Sequence, residues 1–307
     1  MSKYDFSRGL DKNALDKAIA FLKEERHKQI TGELGKHQLC IRDNYINIYS
    51  NGCSLLKYNP NAQNNMLLVH YKYLNDPGNN YDEKSPYVRL DVNETINIAW
   101  EKINIYTSKE KEEIAKYLEA QKNKGDFLLI DLEIAFARER DKQEILGTKT
   151  ERERVADRID MACIYLKDGQ PILRLIEVKL TNDARLKSDQ CADPYLEPEI
   201  IRQMEHYQDF IRTQESNIKK SYKTVAENYF ELITQGVISE NYFSSIGELN
   251  PKKILERFIA RPQIDEKPYL LLLGENHLTK GRKGQNHWQR LLELFENKYP
   301  KPELWPT

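Results

Sequence analysis

Three apolar runs crowd the middle of the chain: FLLIDLEIAFA (127–137), RIDMACIYL (158–166) and PILRLIEVKL (171–180). Their Ile, Leu, Val and Phe content suits pleated, buried strands. Lys167-Asp168-Gly169-Gln170 reads as a tight turn that makes the last two a hairpin. A helix is predicted just upstream. Thr107 and Glu110 fit a capping box, Glu112 adds negative charge to the first turn, and Ile114, Tyr117 and Leu118 share a face as far as about Lys122. Downstream, Ile200, Ile201, Met204, Tyr207 and Ile211 recur at helical spacing over about 197–212. A helical insertion follows at roughly 218–236, then a buried strand PYLLLLG (268–274) and a last helix over about 285–297. The order α-β-β-β-α-β implies a mixed sheet flanked by helices.

The first third reads differently. Leu15, Ile19 and Leu22 mark a helix within 11–27, and strand-like runs follow at 37–49, 53–58 and 65–74. Asn51-Gly52 between the first two is a hairpin signal, because that pair accepts the positive φ angles of a tight turn. NDPGNNYDEKSP (75–86) is a loop and YVRLDV (87–92) a short strand. The fold class is therefore α/β in the α+β sense. A small α+β region over 1–95 precedes a domain over 96–307, which carries a helical insertion at about 214–264 and helical C-terminal additions.

Composition narrows this little. The chain has 307 residues, 31% of them charged, and a net charge of -1, with a mean hydropathy of -0.74. A balanced total leaves nucleic-acid binding open, since only one groove needs positive charge. No segment reaches the roughly 18 apolar residues of a membrane helix, so no membrane partner is expected. MSKYDFSRGLDKN lacks the apolar core of a secretory signal. Cys40, Cys53, Cys163 and Cys191 show no CxxC spacing. That disfavours zinc and iron–sulfur sites and fits reduced thiols in a cytoplasmic protein.

Glu177-Val178-Lys179 is the most suggestive triplet. On a strand, Glu177 and Lys179 project from one face while Val178 packs opposite. The hairpin at Asp168-Gly169 would bring Asp160, near the start of the preceding strand, toward Glu177, subject to register. An E-x-K triplet alone is weak evidence: Glu296-Asn297-Lys298 and Asp265-Glu266-Lys267 match a similar pattern off any apolar strand. Here the flanking Ile172, Leu173, Leu175, Ile176 and Leu180 imply burial, where a carboxylate and an ammonium are costly without a role. Carboxylates beside a lysine suit a hard divalent cation and an activated water.

Asp-x-Glu-Ile-Ala-Phe (131–136), Arg-Ile-Asp (158–160), Glu-Val-Lys-Leu (177–180) and Gln-Met-Glu-His-Tyr (203–207) together resemble the PD-(D/E)xK nuclease superfamily. The likeness is to its RecB-like branch, which adds a Q-x-x-x-Y helix, and it covers about 125–212 with 268–274 as fourth core strand. It implies a restriction-endonuclease-like αβββαβ core. It further implies that Asp160 and Glu177 ligate Mg²⁺ or Mn²⁺, with the Val178 carbonyl, and that Lys179 acts on the water. Gln203 and Tyr207, one helical turn apart, would help hold the lysine and the substrate backbone. They would otherwise be ordinary amphipathic-helix residues. The family's upstream acid, a further catalytic and metal-ligating residue, matches Glu133 best, then Asp131, then Glu113. Ile159 stands where the family's signature proline would, and the iron–sulfur cysteines of some members are missing.

Basic segments supply further candidates. Arg185 and Lys187 follow the E-x-K strand, and Lys280, Arg282 and Lys283 sit in a Gly-punctuated loop near Trp288. Each could contact nucleic acid. The charged stretch 138–153 reads as a solvated hairpin arm. The expectation is a metal-dependent nuclease, on DNA ahead of RNA by resemblance alone, for which cutting both strands would favour a homodimer. The alternative is a catalytically inactive nucleic-acid-binding or assembly module on the same fold.

Overall fold

The two glycine-containing turns close as their residues dictate. Asn51 and Gly52 take φ of 47° and 70°, and Asp168 and Gly169 take 51° and 74°, the left-handed pairs that match strand twist in a two-residue hairpin. The computed structural model describes residues 4–24, 37–61, 66–75, 87–91, 98–141, 152–187, 198–275, 281–296 and 298–305.

A mixed sheet forms the centre, with β1 (Tyr4–Asp5), β7 (Phe127–Asp141), β8 (Arg152–Lys167), β9 (Gln170–Leu180), β10 (Tyr269–Leu273) and β11 (Glu303–Trp305) adjacent in that order. Neighbours from β1 to β9 pair antiparallel, whereas β10 runs parallel to both β9 and β11. β7 and β8 extend past their expected ends into the charged arm, where Asp141 pairs with Arg152. A second, antiparallel sheet holds β2 (Gln38–Ile41), β3 (Ile46–Ser50), β4 (Cys53–Asn59), β5 (Met66–His70) and β6 (Tyr87–Leu90). The single run expected at 37–49 is thus two strands, because the chain turns back through Asn44 at a φ of 55°.

The α-helices among the described residues are α1 (Lys12–Lys23), α2 (Trp100–Tyr106), α3 (Lys109–Lys124), α4 (Glu199–Thr234), α5 (Pro251–Ala260) and α6 (Gly281–Glu296). Ser108, not Thr107, caps α3 by accepting from the Lys111 N–H. Thr107 instead ends α2, its hydroxyl donating to the Ile103 carbonyl at 2.7 Å. α4 is one 36-residue helix, so the insertion expected from about 214 continues the helix that carries Gln203 and Tyr207 as far as Thr234. No Gly or Pro interrupts it, and Ile211, Gln214, Ile218, Tyr222 and Val225 keep its buried stripe at helical spacing.

The first third is stitched to the centre. β1 pairs with the far half of β7, and Phe6 packs against Phe210 and Tyr222 with ring centroids 5.4 and 5.9 Å away. One buried cluster joins Leu39, Ile48 and Leu56 of the second sheet to Ile130, Leu173 and Tyr229. Residues on both sides of position 95 therefore share one core. No helix among the described residues is long and apolar enough to cross a membrane.

Candidate metal and catalytic centre

Pairing between β8 and β9 runs from Lys167–Gln170 to Met161–Ile176. Beyond that point β9 stays with β10, and β8 stays with β7. Asp160 is the first residue past this fork. A strand that loses its neighbour must find other partners for its buried backbone groups. The Val178 N–H donates to Asp160 Oδ2 at 2.7 Å, and the Tyr207 hydroxyl donates to the Arg158 carbonyl at 2.5 Å.

Glu177 and Lys179 are 1% and 2% exposed. Gln203 Nε2 donates to Glu177 Oε1 at 2.8 Å and to the Tyr207 hydroxyl at 2.5 Å. The Lys179 ammonium pairs with that same Oε1 and donates to the Val178 carbonyl at 3.0 Å. Glu177 Oε2 is buried with no hydrogen-bond partner among the described residues. Burial pushes the Glu177 carboxyl up to about 8, with the Asp160 charge adding to the rise and Lys179 opposing it. Burial likewise lifts Asp160 to about 6, against Lys179 and the Val178 N–H, with Glu110 and Glu133 adding to the rise.

Glu133 and Asp131 part company. Leu132 pairs with Met161 and Ile134 with Ile159, which sets Glu133 across from Asp160 in register. Glu133 has a φ of 48°, a left-handed conformation uncommon for a residue with a side chain. It pairs with Lys111 at 2.9 Å and Arg158 at 3.5 Å. The left-handed residue breaks the alternation expected of 131 and 133, and a register shift separates Leu129 from Asp131. Asp131 is fully buried among Arg8, Arg42 and the Tyr222 hydroxyl, so its partners are those of a core anchor.

Glu113 is buried on α3 with one oxygen 3.0 Å from Lys116 and the other without a hydrogen-bond partner among the described residues. Glu110, one turn earlier, is the acid of that helix whose charge acts on both Asp160 and Arg185. From sequence it registered only as a capping residue. Its sole signal was the i, i+3 spacing to Glu113, and helix docking decided which acid approaches the strands.

The basic candidates scatter. Arg185 is clamped by Asp183 through contacts of 3.0 and 2.6 Å, and that carboxylate holds the guanidinium above its usual range. Lys187 is exposed. Its charge, after burial, helps hold the pKa of His287 on α6 down. Arg282 and Lys283 lie in the first turn of α6 instead of a loop before it, because that helix begins at Gly281 and not near 285. Lys280 lies outside the described residues.

Among the described residues, no group of three or more His, Cys, Asp or Glu side chains is gathered as a metal site. Asp160 and Glu177 still suit a hard divalent cation. Each is desolvated, the Asp160 charge raises the proton affinity of Glu177, Asp160 in turn feels Glu110 and Glu133, and Glu177 Oε2 has no hydrogen-bond partner among the described residues. The Val178 carbonyl adds a neutral oxygen beside them, and water can complete such a shell. Compared with family models, curated proteins and solved structures, the chain matches none.

Proposed function

We propose that this chain is a Mg²⁺- or Mn²⁺-dependent nuclease of the PD-(D/E)xK kind, hydrolysing phosphodiester bonds, with DNA ahead of RNA by resemblance alone. One observation carries the reading: Glu177, buried beside Lys179 and Asp160, leaves an oxygen unpartnered. Glu113 also keeps a spare buried oxygen, but its partner Lys116 is half exposed; Glu177 differs in having a second desolvated acid, Asp160, acting on it. A buried acid with a spare oxygen and a second acid beside it is poised for a cation. The element order α3-β7-β8-β9-α4-β10, with β10 parallel to β9, supports a restriction-endonuclease-like core.

Asp160, Glu177 and the Val178 carbonyl would hold the cation. When bound, it supplies a Lewis acid for the phosphoryl oxygen and acidifies a water. Asp160 is oriented by the Val178 N–H. Gln203 fixes Glu177 Oε1, and Tyr207 anchors Gln203 to the strand through the Arg158 carbonyl. Lys179 carries an ammonium donor beside both acids, suited to stabilise charge on the attacking or leaving oxygen and to move its proton. Glu133, Glu110 and the Lys111 and Arg158 cations form the rim.

The test is cleavage of linear, circular and single-stranded DNA and of RNA with Mg²⁺ or Mn²⁺, comparing wild type with Lys179→Ala and Asp160→Ala. Metal-dependent cutting abolished in both variants supports the reading. Binding without cutting by wild type would favour an inactive nucleic-acid-binding module. Absence of both cutting and Mn²⁺ binding would reject the nuclease reading. A homodimer is expected if both strands are cut, and sedimentation reports it directly.

A further inference from the structure

The second sheet has two unlike faces. Ile46, Ile48, Leu56, Leu67, Val69 and Val88 are buried in the shared core. The alternate residues behave differently: Asn47 lies across from Lys57 and His70 from Tyr87, and these four help line a cavity of about 500 Å³. Its opposite wall is built by Lys111 of α3, Glu133 of β7 and Arg158 of β8, with Arg8 from the segment after β1. An antiparallel sheet commonly turns one face to water, but here that face is concave and roofed by cations.

Rings and cations are interleaved in this space. Lys57 Nζ stands 4.0 Å from the centre of the Tyr87 ring, and no carboxylate pairs with Lys57 among the described residues. The His70 ring lies 5.3 Å from that of Tyr73 and 5.4 Å from that of Tyr87. The lining holds five Lys or Arg side chains against the two carboxylates of Asp43 and Glu133. Arg8 and Arg42 share Asp131 behind it. The cavity is thus net positive in a chain whose total charge is -1. Aromatic faces with nearby cations are what bases and phosphates of an unpaired strand require. A space this size falls in the range of small-ligand pockets, enough for one or two nucleotides. Paired bases inside a duplex offer no open face to stack.

Glu133 and Arg158 belong both to this cavity and to the rim of the carboxylate centre. The geometry points to a binding site for single-stranded nucleic acid on the β3–β6 face, which delivers an unpaired strand across Glu133 and Arg158 to Asp160 and Glu177. The delivery step rests on the nuclease reading, whereas the binding site does not. It gives a role to the first third of the chain: selecting substrates with unpaired nucleotides beside the cleaved bond.

Fluorescence anisotropy in EDTA, so that nothing is cut, tests it on the full chain with a short oligothymidylate, an oligouridylate of the same length and a blunt duplex. Either single strand should bind on the order of tenfold tighter than duplex; which of the two binds better identifies the sugar preferred. Lys57→Gln and Tyr87→Leu should each weaken single-strand binding about fivefold or more, while Lys12→Gln, at an exposed position away from the cavity lining, should match wild type. Equal binding of duplex and single strands, or wild-type binding by both cavity variants, overturns the proposal. Mn²⁺ calorimetry on wild type and Lys57→Gln reads the carboxylate centre separately. Cavity-dependent binding without any Mn²⁺ uptake would reject the nuclease reading and keep this site.

Discussion

Arg42 Nη1 sits 2.5 Å from Asp131 Oδ1 in the core, and Arg8 Nε and the Tyr222 hydroxyl each lie 3.1 Å from Oδ2. Two arginines from the first third thus converge on one acid of β7. Removing that acid leaves a guanidinium buried without its counter-charge. Asp131→Ala should destabilise the protein by about 3–5 kcal/mol. Glu133→Gln, two residues on and partly exposed, should change stability by less than about 1 kcal/mol. Urea unfolding of both variants measures the contrast, and similar midpoints would contradict the separate roles.

Asp160 combines two duties that substitution can separate. Asp160→Asn keeps an oxygen for the Val178 N–H and removes a desolvated charge that raises its neighbour's proton affinity. It should fold with stability equal to or above wild type while losing Mn²⁺ affinity and cleavage. Asp160→Ala strands the Val178 N–H and should cost about 1–3 kcal/mol. Thermal melting alongside Mn²⁺ calorimetry distinguishes the two, and equal metal affinity in wild type and Asp160→Asn would count against a ligand role.

Both acids titrate above their ordinary values, Asp160 near 6 and Glu177 near 8. A carboxyl whose folded value is raised favours the folded state fully at pH below its unfolded value, 4.5 for Glu177. That contribution is lost as pH rises through about 8. Without metal, the stability of wild type relative to Glu177→Gln should therefore fall across this window and level off above it. Mn²⁺ affinity should climb over the same range, because binding displaces protons. Calorimetry in buffers of differing ionisation enthalpy reads the released protons; a flat affinity between about pH 6 and 8 would deny these carboxyls the ligand role.

Gln203 and Tyr207 should separate chemically. Gln203→Ala removes the donor that orients Glu177 and should weaken Mn²⁺ binding about 10–100-fold with a stability loss near 1 kcal/mol. Tyr207→Phe deletes the hydroxyl on the Arg158 carbonyl and should cost about 1–3 kcal/mol of stability, with a smaller effect on metal. Paired melting and metal titrations would show whether the two losses divide this way.

Much of the frame was legible from the order of residues. Asn51-Gly52 and Asp168-Gly169 specify left-handed turn pairs because few other residues tolerate that backbone. The apolar runs around β7, β8, β9 and β10 declare buried strands. Glu177 and Lys179 share a strand face by the two-residue repeat alone. Tertiary structure decided everything that depends on which strand stays with which. The fork that takes β9 to β10 brings the Asp160 carboxylate to the Val178 N–H. The left-handed backbone at Glu133 leaves that acid at the rim while Asp131 is held by arginines more than 80 residues away in sequence. The join between the second sheet and the central one, with its cavity of aromatic and basic side chains, draws on residues from Arg8 to Arg158. Periodicity is a property of neighbouring residues along the chain, so it can be read there. Register, forks and shared walls arise from contacts between distant segments, and only the folded chain brings those together.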